Sequence, residues 1–240
     1  SKYSLPHINI ESRRERADFK STNERFPGSP PPRDRQQHGA MLRGQFSQAA
    51  NDFEQDRPRD ERVSPAAGVY LEVELRPNAS PDSLERKRSN LKPASAKLGA
   101  ADTRIVGLFV PEDAKPVLES ILADYQSGEL TEKGQNPPYK SFVEPIEAIR
   151  KARLETFWTD DLEALPQDPN DTIWWEVWCI KSAENALDAL AEKLDARCAP
   201  KEQRLVFPEH VVVPVLAARA TIELMLFARF SITELRRATD

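Results

Sequence analysis

Few residues of this 240-residue chain have the types and spacings that metal or acid–base chemistry requires. The three histidines are far apart in sequence: His7, His38 and His210. No two of them have the spacing of metal ligands on one helix face. The acidic residues that lie close together, Asp160–Asp161 and Asp168 with Asp171, are in turn-like sequence, where solvated side chains are expected. We therefore predict no metal site and no cofactor.

Glycine, the residue that most catalytic loops depend on, does not occur after Gly134. Phosphate-binding loops, nucleophile elbows and oxyanion turns all use the backbone freedom of glycine. The second half of the chain is therefore predicted to be non-catalytic. We identify no catalytic residue anywhere in the chain.

The most distinctive side chains are three tryptophans in one apolar run, Ile173–Ile180. Because this run is apolar on both faces, we predict that it is a central strand. Alternation along a strand places Trp174 and Trp178 on one face and Trp175 on the other. One face should pack on helices, and a large aromatic patch is rarely left bare on the other. The second face is then either covered by the N-terminal arm or the first half of the chain, or it binds another protein. We take Trp174 and Trp178 as candidate partner-binding residues.

These tryptophans belong to a short sequence motif that occurs twice in the chain. The β-prone run Val69–Leu75 is echoed by Ile173–Cys179, with glutamate at the same offset. A second phrase follows each of them, Ile146–Ala152 in the first half and Ile232–Ala238 in the second. Repetition of such phrases indicates two related α/β units in tandem.

Each unit reads as strand, helix, strand, strand, helix, strand. This order predicts an α+β chain of two tandem ferredoxin-like (βαββαβ) modules with antiparallel sheets. We place the first module at residues 65–154, a connector at 155–171 and the second module at 172–240.

Several elements have local signals. Ser80 and Pro81 predict a helix that runs to about Asn90, because serine caps helices and proline fits the first helical position. The apolar spacing over 183–196 predicts the clearest helix. Pro214 within the run 211–217 predicts an edge or bulged strand. The run 142–149 is either a strand or the start of a helix.

Residues 1–64 differ from the rest, with many arginines and clustered prolines. Proline favours extended backbone, so we predict an extended arm followed by a helix over 39–53. A disordered tail is the alternative. The arginines are matched by acidic residues, and the whole chain has a net charge of -5. Both features argue against nucleic acid as a partner.

The remaining composition points to a reduced, cytoplasmic protein. The two cysteines, Cys179 and Cys198, are expected to be idle thiols rather than a disulfide. No apolar run approaches the ~20 residues of a membrane span. The first residues do not have the apolar core of a signal peptide. We predict no membrane partner.

Five phrases together resemble the N-terminal region of bacterial subtilisin-like serine proteases (subtilases) of the kind encoded beside an AAA-type ATPase and suspected to act in antiphage defence. They are Leu5–Ile8, Pro31–Gly39, Phe157–Asp161, Ile173–Trp178 and Glu234–Ala238. The resemblance spans nearly the whole chain, and its most specific parts are Trp-Trp-Glu-Val-Trp and Trp-Thr-Asp-Asp. The motifs that carry the catalytic residues of these proteases are missing from the sequence. The dipeptide His38-Gly39 is followed by Ala40 and not by the threonine of a His-Gly-Thr motif, and there is no Gly-Thr-Ser motif.

The resemblance implies a regulatory region, propeptide-like, that chaperones and inhibits a subtilase domain. Subtilase propeptides have one open antiparallel sheet whose bare face packs on the protease and a C-terminal tail that enters the active-site cleft. The tail would correspond to the following residues: Leu235, Arg236, Arg237, Ala238, Thr239 and Asp240. Ordinary subtilase propeptides have one such module, whereas this chain is predicted to have two. The alternative is a sensor or assembly platform that binds the AAA ATPase or a phage protein.

Overall fold

A computed structural model describes residues 33–57, 60–63, 67–131, 136–228 and 232–238. The extended part of the expected N-terminal arm, with His7 and the prolines Pro6, Pro27, Pro30, Pro31 and Pro32, lies outside these residues. The described chain is a mixed α+β structure with two antiparallel sheets and several helices. Both sheets belong to one compact unit that begins at Asp34.

The first sheet has four strands, in the spatial order β2-β3-β1-β4. Their bounds are β1 Gly68–Leu75, β2 Lys92–Leu98, β3 Arg104–Pro111 and β4 Ile146–Lys151. In the central strand β1 burial alternates from Leu71 to Leu75, where Glu72 and Glu74 are partly exposed, as the apolar–acidic alternation predicts. Tyr70, which precedes this stretch, is buried as well. The ambiguous run 142–149 contains both elements: the short helix α3 (Lys140–Val143) ends just before β4.

Two longer helices pack on this sheet, α1 (Arg35–Gln55) and α2 (Lys115–Ser127). Asp34 caps α1, because its carboxylate accepts hydrogen bonds from the amides of Gln36 and Gln37. The helix is longer than the predicted 39–53. Gly39 lets α1 approach α2 closely, since a Cβ there would lie 2.6 Å from the Cβ of Gln126.

Helix α1 also covers the outer edge of β4. Gln45 Oε1 accepts a hydrogen bond from the amide of Ile149 at 2.9 Å. His38 Nε2 lies 2.8 Å from the carbonyl oxygen of Ile146. Unpaired edge strands invite pairing with other chains, and α1 covers this edge of the first sheet.

The predicted helix over 80–90 is wrong. Ser80 does accept a hydrogen bond from the amide of Asp82, but only two short 3-10 helices form, at Pro81–Leu84 and Lys87–Ser89. Glu85 is extended between them, and Asn90 adopts a left-handed conformation with φ 52°. The segment lacks the apolar stripe that would hold a longer helix against the sheet.

The second sheet has five strands, in the order β6-β8-β5-β9 with β7 also paired to β8. Their bounds are β5 Thr172–Ile180, β6 Arg197–Cys198, β7 Leu205–Val206, β8 His210–Ala218 and β9 Ile232–Arg237. The prediction that the tryptophan-rich run is a central strand is confirmed, because β5 pairs with β8 on one side and β9 on the other.

Pro214 does not make its strand an edge or a bulged strand, as the sequence predicted. It pairs in regular register with Glu176 of β5, and β6 and β7 flank β8 on the other side. The carbonyl of Pro214 points to that side and accepts from the amide of Ala199. The missing N–H therefore faces the gap between two short outer strands, where it interrupts no ladder.

Helices α5 (Glu184–Lys193) and α6 (Arg219–Ala228) contribute to the core on one side of the second sheet. The connector between the halves contains the short helix α4 (Leu154–Phe157) and a 3-10 turn, Leu162–Ala164. Lys97 of β2 anchors it by donating hydrogen bonds to the carbonyl oxygens of Glu155 and Trp158.

Candidate functional site

The second sheet has one helix-covered face and one face that bears partly exposed aromatic side chains. Trp175 is fully buried on the helix side. Trp174 and Trp178 are only partly buried, and strand alternation places them on the opposite side. The predicted division of the three tryptophans between two faces is confirmed.

Two arginines and a phenylalanine complete this surface, which we call the aromatic face: Trp174, Trp178, Arg197, Phe207 and Arg236. The guanidinium of Arg197 lies 5.1 Å from the ring centroid of Trp174, and that of Arg236 lies 5.2 Å from Trp178. Both distances are within cation–π range. The ring of Phe207 stacks on Trp178 with centroids 5.3 Å apart.

The indole N–H of Trp178 is buried and has no hydrogen-bond partner in the structure. A buried donor that is left unpaired costs about 1–3 kcal/mol. The residue as a whole is only partly buried, so other atoms of its side chain reach the protein surface. The aromatic face thus contains a polar group that its own chain does not satisfy.

The charges on this side of the sheet are balanced. Glu176 and Glu234 alternate with the arginines, and Glu234 accepts a hydrogen bond from Arg236. Phosphate backbones require an excess of positive charge, which these balanced charges do not provide. The composition, rich in tryptophan and arginine, is that of protein–protein hot spots.

An exposed apolar cluster lies at one end of the aromatic face. Leu205 and Val206 of β7 are each 59% exposed, and the adjoining Phe207 is 42% exposed. Ile180, which pairs with His210 at the same end of the sheet, is 39% exposed. This cluster extends the apolar surface beyond the two tryptophans.

The structure places the predicted tail residues largely inside the sheet. Leu235 is fully buried, and Arg236 and Arg237 pair with Glu176 and Trp175. The amide of Ala238 donates to the carbonyl of Trp174. A free tail can therefore begin only after Ala238, and Thr239 and Asp240 lie outside the described residues.

Both cysteines lie in surroundings that make their thiols unreactive. Burial, with the charge of Glu184, raises the pKa of Cys179 to about 12. Burial, with the charge and hydrogen bond of Asp188, raises the pKa of Cys198 to about 12. Both are free thiols, and thiols with raised pKa values are poor nucleophiles and metal ligands.

A cavity of about 430 Å³ lies where α1, the connector and α6 meet. Its charged groups are mostly paired with one another: Lys151 with Asp56, and Arg219 with Glu155. Arg219 also donates to Glu223. Such mutual neutralisation is typical of a structural junction and leaves little charge for a ligand.

Within the described ranges, no three His, Cys, Asp or Glu side chains gather as a metal site would require. Among the helices of those same residues, none combines the length and apolar character needed to cross a membrane. Comparisons with protein-family models, curated proteins and solved structures found no match to this chain.

Sequence reasoning found Trp174 and Trp178 but missed Arg197 and Phe207. Arg197 belongs to a two-residue strand, and Phe207 directly follows another. Strands this short carry no periodic signal. These two residues reach the aromatic face only because β6 and β7 both pair with β8.

Proposed function

We propose that this chain is a non-catalytic regulatory region that binds a subtilisin-like serine protease domain, assists its folding and holds it inactive. The observation that carries the proposal is the aromatic face of the second sheet. Two arginines lie over two partly buried tryptophans there, and the indole N–H of Trp178 is unpaired. A protein that covers this surface would bury hot-spot side chains.

We also propose that each half is a ferredoxin-like module, the second of them propeptide-like. The spatial strand order is second, third, first, fourth in both halves, if β7 is set aside as an extra strand. All strand neighbours are antiparallel. The first half has 3-10 turns where the first helix of such a module would be. The second half supports the comparison with propeptides better, because it has two crossover helices.

The inhibitory segment in this proposal follows Ala238, whose amide still donates to the carbonyl of Trp174. A segment in extended conformation binds a protease cleft by adding a strand, and main-chain hydrogen bonds supply the affinity. The sheet beneath it lowers the ordering cost by fixing where the segment leaves. Binding only to the native protease also stabilises that protease.

The test is inhibition of the parent protein's protease domain, expressed separately, by the purified chain. We expect tight inhibition by the wild-type chain, and inhibition weakened about 30-fold or more by Trp178→Ala, since hot-spot tryptophans contribute at least about 2 kcal/mol. The matched control is Leu98→Ala, which truncates a 63% exposed side chain on the first sheet. A protease that folds and cuts normally beside the wild-type chain would overturn the proposal.

Tail removal is informative only when it leaves β9 intact. Deletion of residues 239–240 spares the sheet, whereas deletion from Leu235 would remove a fully buried side chain. We expect the shorter deletion to weaken inhibition while the unfolding free energy of the chain stays unchanged. Unchanged inhibition would place the inhibitory contacts elsewhere.

A second candidate function is a sensor or assembly platform for an AAA ATPase or a phage protein. The exposed cluster at Leu205, Val206 and Phe207 favours it, because it offers apolar surface beyond the aromatic face. Replacement of Leu205 and Val206 by serine separates the two functions, because both side chains are 59% exposed and neither belongs to the aromatic face. If the chain is a platform, this change should abolish ATPase binding and leave protease inhibition unchanged.

A further inference from the structure

The connector forms an additional strand-like contact along the outer edge of β9. Trp158 makes a parallel bridge with Leu235, and the amide of Thr159 donates to the carbonyl of Leu235 at 3.2 Å. The carboxylate of Asp160 accepts a hydrogen bond from the amide of Arg237 at 2.8 Å. We call residues Trp158, Thr159 and Asp160 the latch.

The latch is fixed to the core on its other side. The side chain of Trp158 is 1% exposed and packs edge-on against Trp175 with ring centroids 5.6 Å apart. Its indole N–H donates to the carbonyl of Asp161. Lys97 of the first sheet donates to the carbonyl of Trp158 at 3.0 Å. A segment held by these contacts cannot follow β9 if that strand moves, so it restrains the strand.

The latch is also joined to the aromatic face by side chains. Thr159 Oγ1 lies 2.5 Å from Glu234 Oε1 and accepts from Arg236 Nε at 3.2 Å. Arg236 is the arginine that lies over Trp178. One hydroxyl therefore connects the connector to the guanidinium that a partner on the aromatic face would contact.

We propose that Thr159 and Asp160 are positioning residues for partner binding. Asp160 fixes the direction in which the chain leaves β9, and Thr159, together with Glu234, fixes Arg236 over Trp178. This inference rests on the proposed inhibitory function, because it assigns the residues that prepare that surface and that exit. Preorganisation of this kind strengthens binding by reducing the ordering cost.

The first experiment compares Asp160→Ala with Asp161→Ala in the whole chain. Asp161 is the adjacent exposed acid, and its side chain makes no capping hydrogen bond. We expect Asp160→Ala to raise the inhibition constant against the protease domain about tenfold, the effect of one charge-assisted hydrogen bond. Asp161→Ala should leave it unchanged. Equal constants for both variants and the wild type would overturn the role of Asp160.

The second experiment uses the hydroxyl of Thr159. We expect Thr159→Val, which keeps the shape and loses the hydroxyl, to weaken inhibition severalfold. Thr159→Ser should restore most of it, which a purely steric role would not explain. Inhibition that is lost equally in both variants would overturn the role of the hydroxyl.

A measurement without the protease separates this inference from the proposed function. Amide hydrogen exchange of Arg237, followed by NMR in the chain alone, should be faster in Asp160→Ala and unchanged in Asp161→Ala. If the wild-type chain fails to inhibit but this difference is found, the inhibitory function is overturned and the latch is supported. If Arg237 exchanges at one rate in all three proteins, the latch is overturned whatever the inhibition shows.

Discussion

The indole N–H of Trp175 donates a 2.9 Å hydrogen bond to the carbonyl of Ala217, on the face of β5 that Trp178 does not share. Trp175 therefore has both its apolar surface and its polar group satisfied within the core. Trp178 has neither, because it is partly exposed and its N–H is unpaired. Trp175 is thus a satisfied core residue, whereas Trp178, three positions later, is partly exposed and has an unpaired N–H.

This difference predicts opposite effects of truncation. Trp175→Ala should lower the free energy of unfolding by about 3–5 kcal/mol, because it leaves a large cavity in the core. Trp178→Ala should cost clearly less stability and act mainly on partner binding. Urea unfolding followed by circular dichroism measures both. Equal losses of stability would contradict the assignment of the two faces.

Removal of the Gln45 side chain should destabilise the first sheet. Gln45→Ala leaves the amide of Ile149, on a residue that is 3% exposed, without its acceptor. We expect a loss of about 1–3 kcal/mol in the free energy of unfolding. Gln48→Ala is the matched control, since its hydrogen bond to Asp52 is exposed. A loss as large in the control would mean that helix propensity, and not edge covering, is responsible.

Both cysteines should resist alkylation in the folded chain. With pKa values of about 12, roughly one thiol in ten thousand is ionised at pH 8, and the thiolate is the reactive form. A thiol reagent should label Cys179 and Cys198 only after urea is added. Because the folded pKa values are raised, the thiols' contribution to stability is present at neutral pH and is lost as the pH rises toward 12. Rapid native labelling of Cys179 would contradict its buried placement.

The stability of the junction between the halves should depend on acidic pH through Glu155. Burial opposes its ionisation, but hydrogen bonds from its own backbone and from Arg219 outweigh burial and hold the pKa below the ordinary value of 4.5. A lowered folded pKa gives stability that is present above the ordinary pKa and lost as the pH falls through the folded value. Wild type should therefore exceed Glu155→Gln in stability at pH 7, and the gap should close in more acidic solution. A gap that stays constant during acid titration would count against this assignment.

Local sequence patterns predicted the strands best where apolar residues dominate. The run around Trp175 is apolar on both faces and is central in the sheet, as expected of a strand with neighbours on both sides. The helix expected after Ser80 failed because capping signals start a helix but do not lengthen it. The position of Pro214 depended on which side of its strand the missing N–H faces, and a single sequence does not specify that.

The contacts that make the candidate site were beyond local prediction. Thr159 and Glu234 are 75 positions apart in sequence, and their pairing depends on how the connector returns to β9. The same holds for Arg197 and Trp174, which meet only through the intervening strand β8. Periodicity identifies which face a residue occupies but not which distant residue lies beside it.

The covering of β4 by α1 also has a consequence for synthesis on the ribosome. The amide of Ile149 is made 104 residues after the Gln45 side chain that accepts from it. At a synthesis rate of about 5–20 residues per second, β4 is made roughly 5–20 s after the apolar stripe of α1. During that interval Leu42, Phe46 and Phe53 are without their final neighbours, so the nascent chain is most prone to misassociation before the first sheet closes.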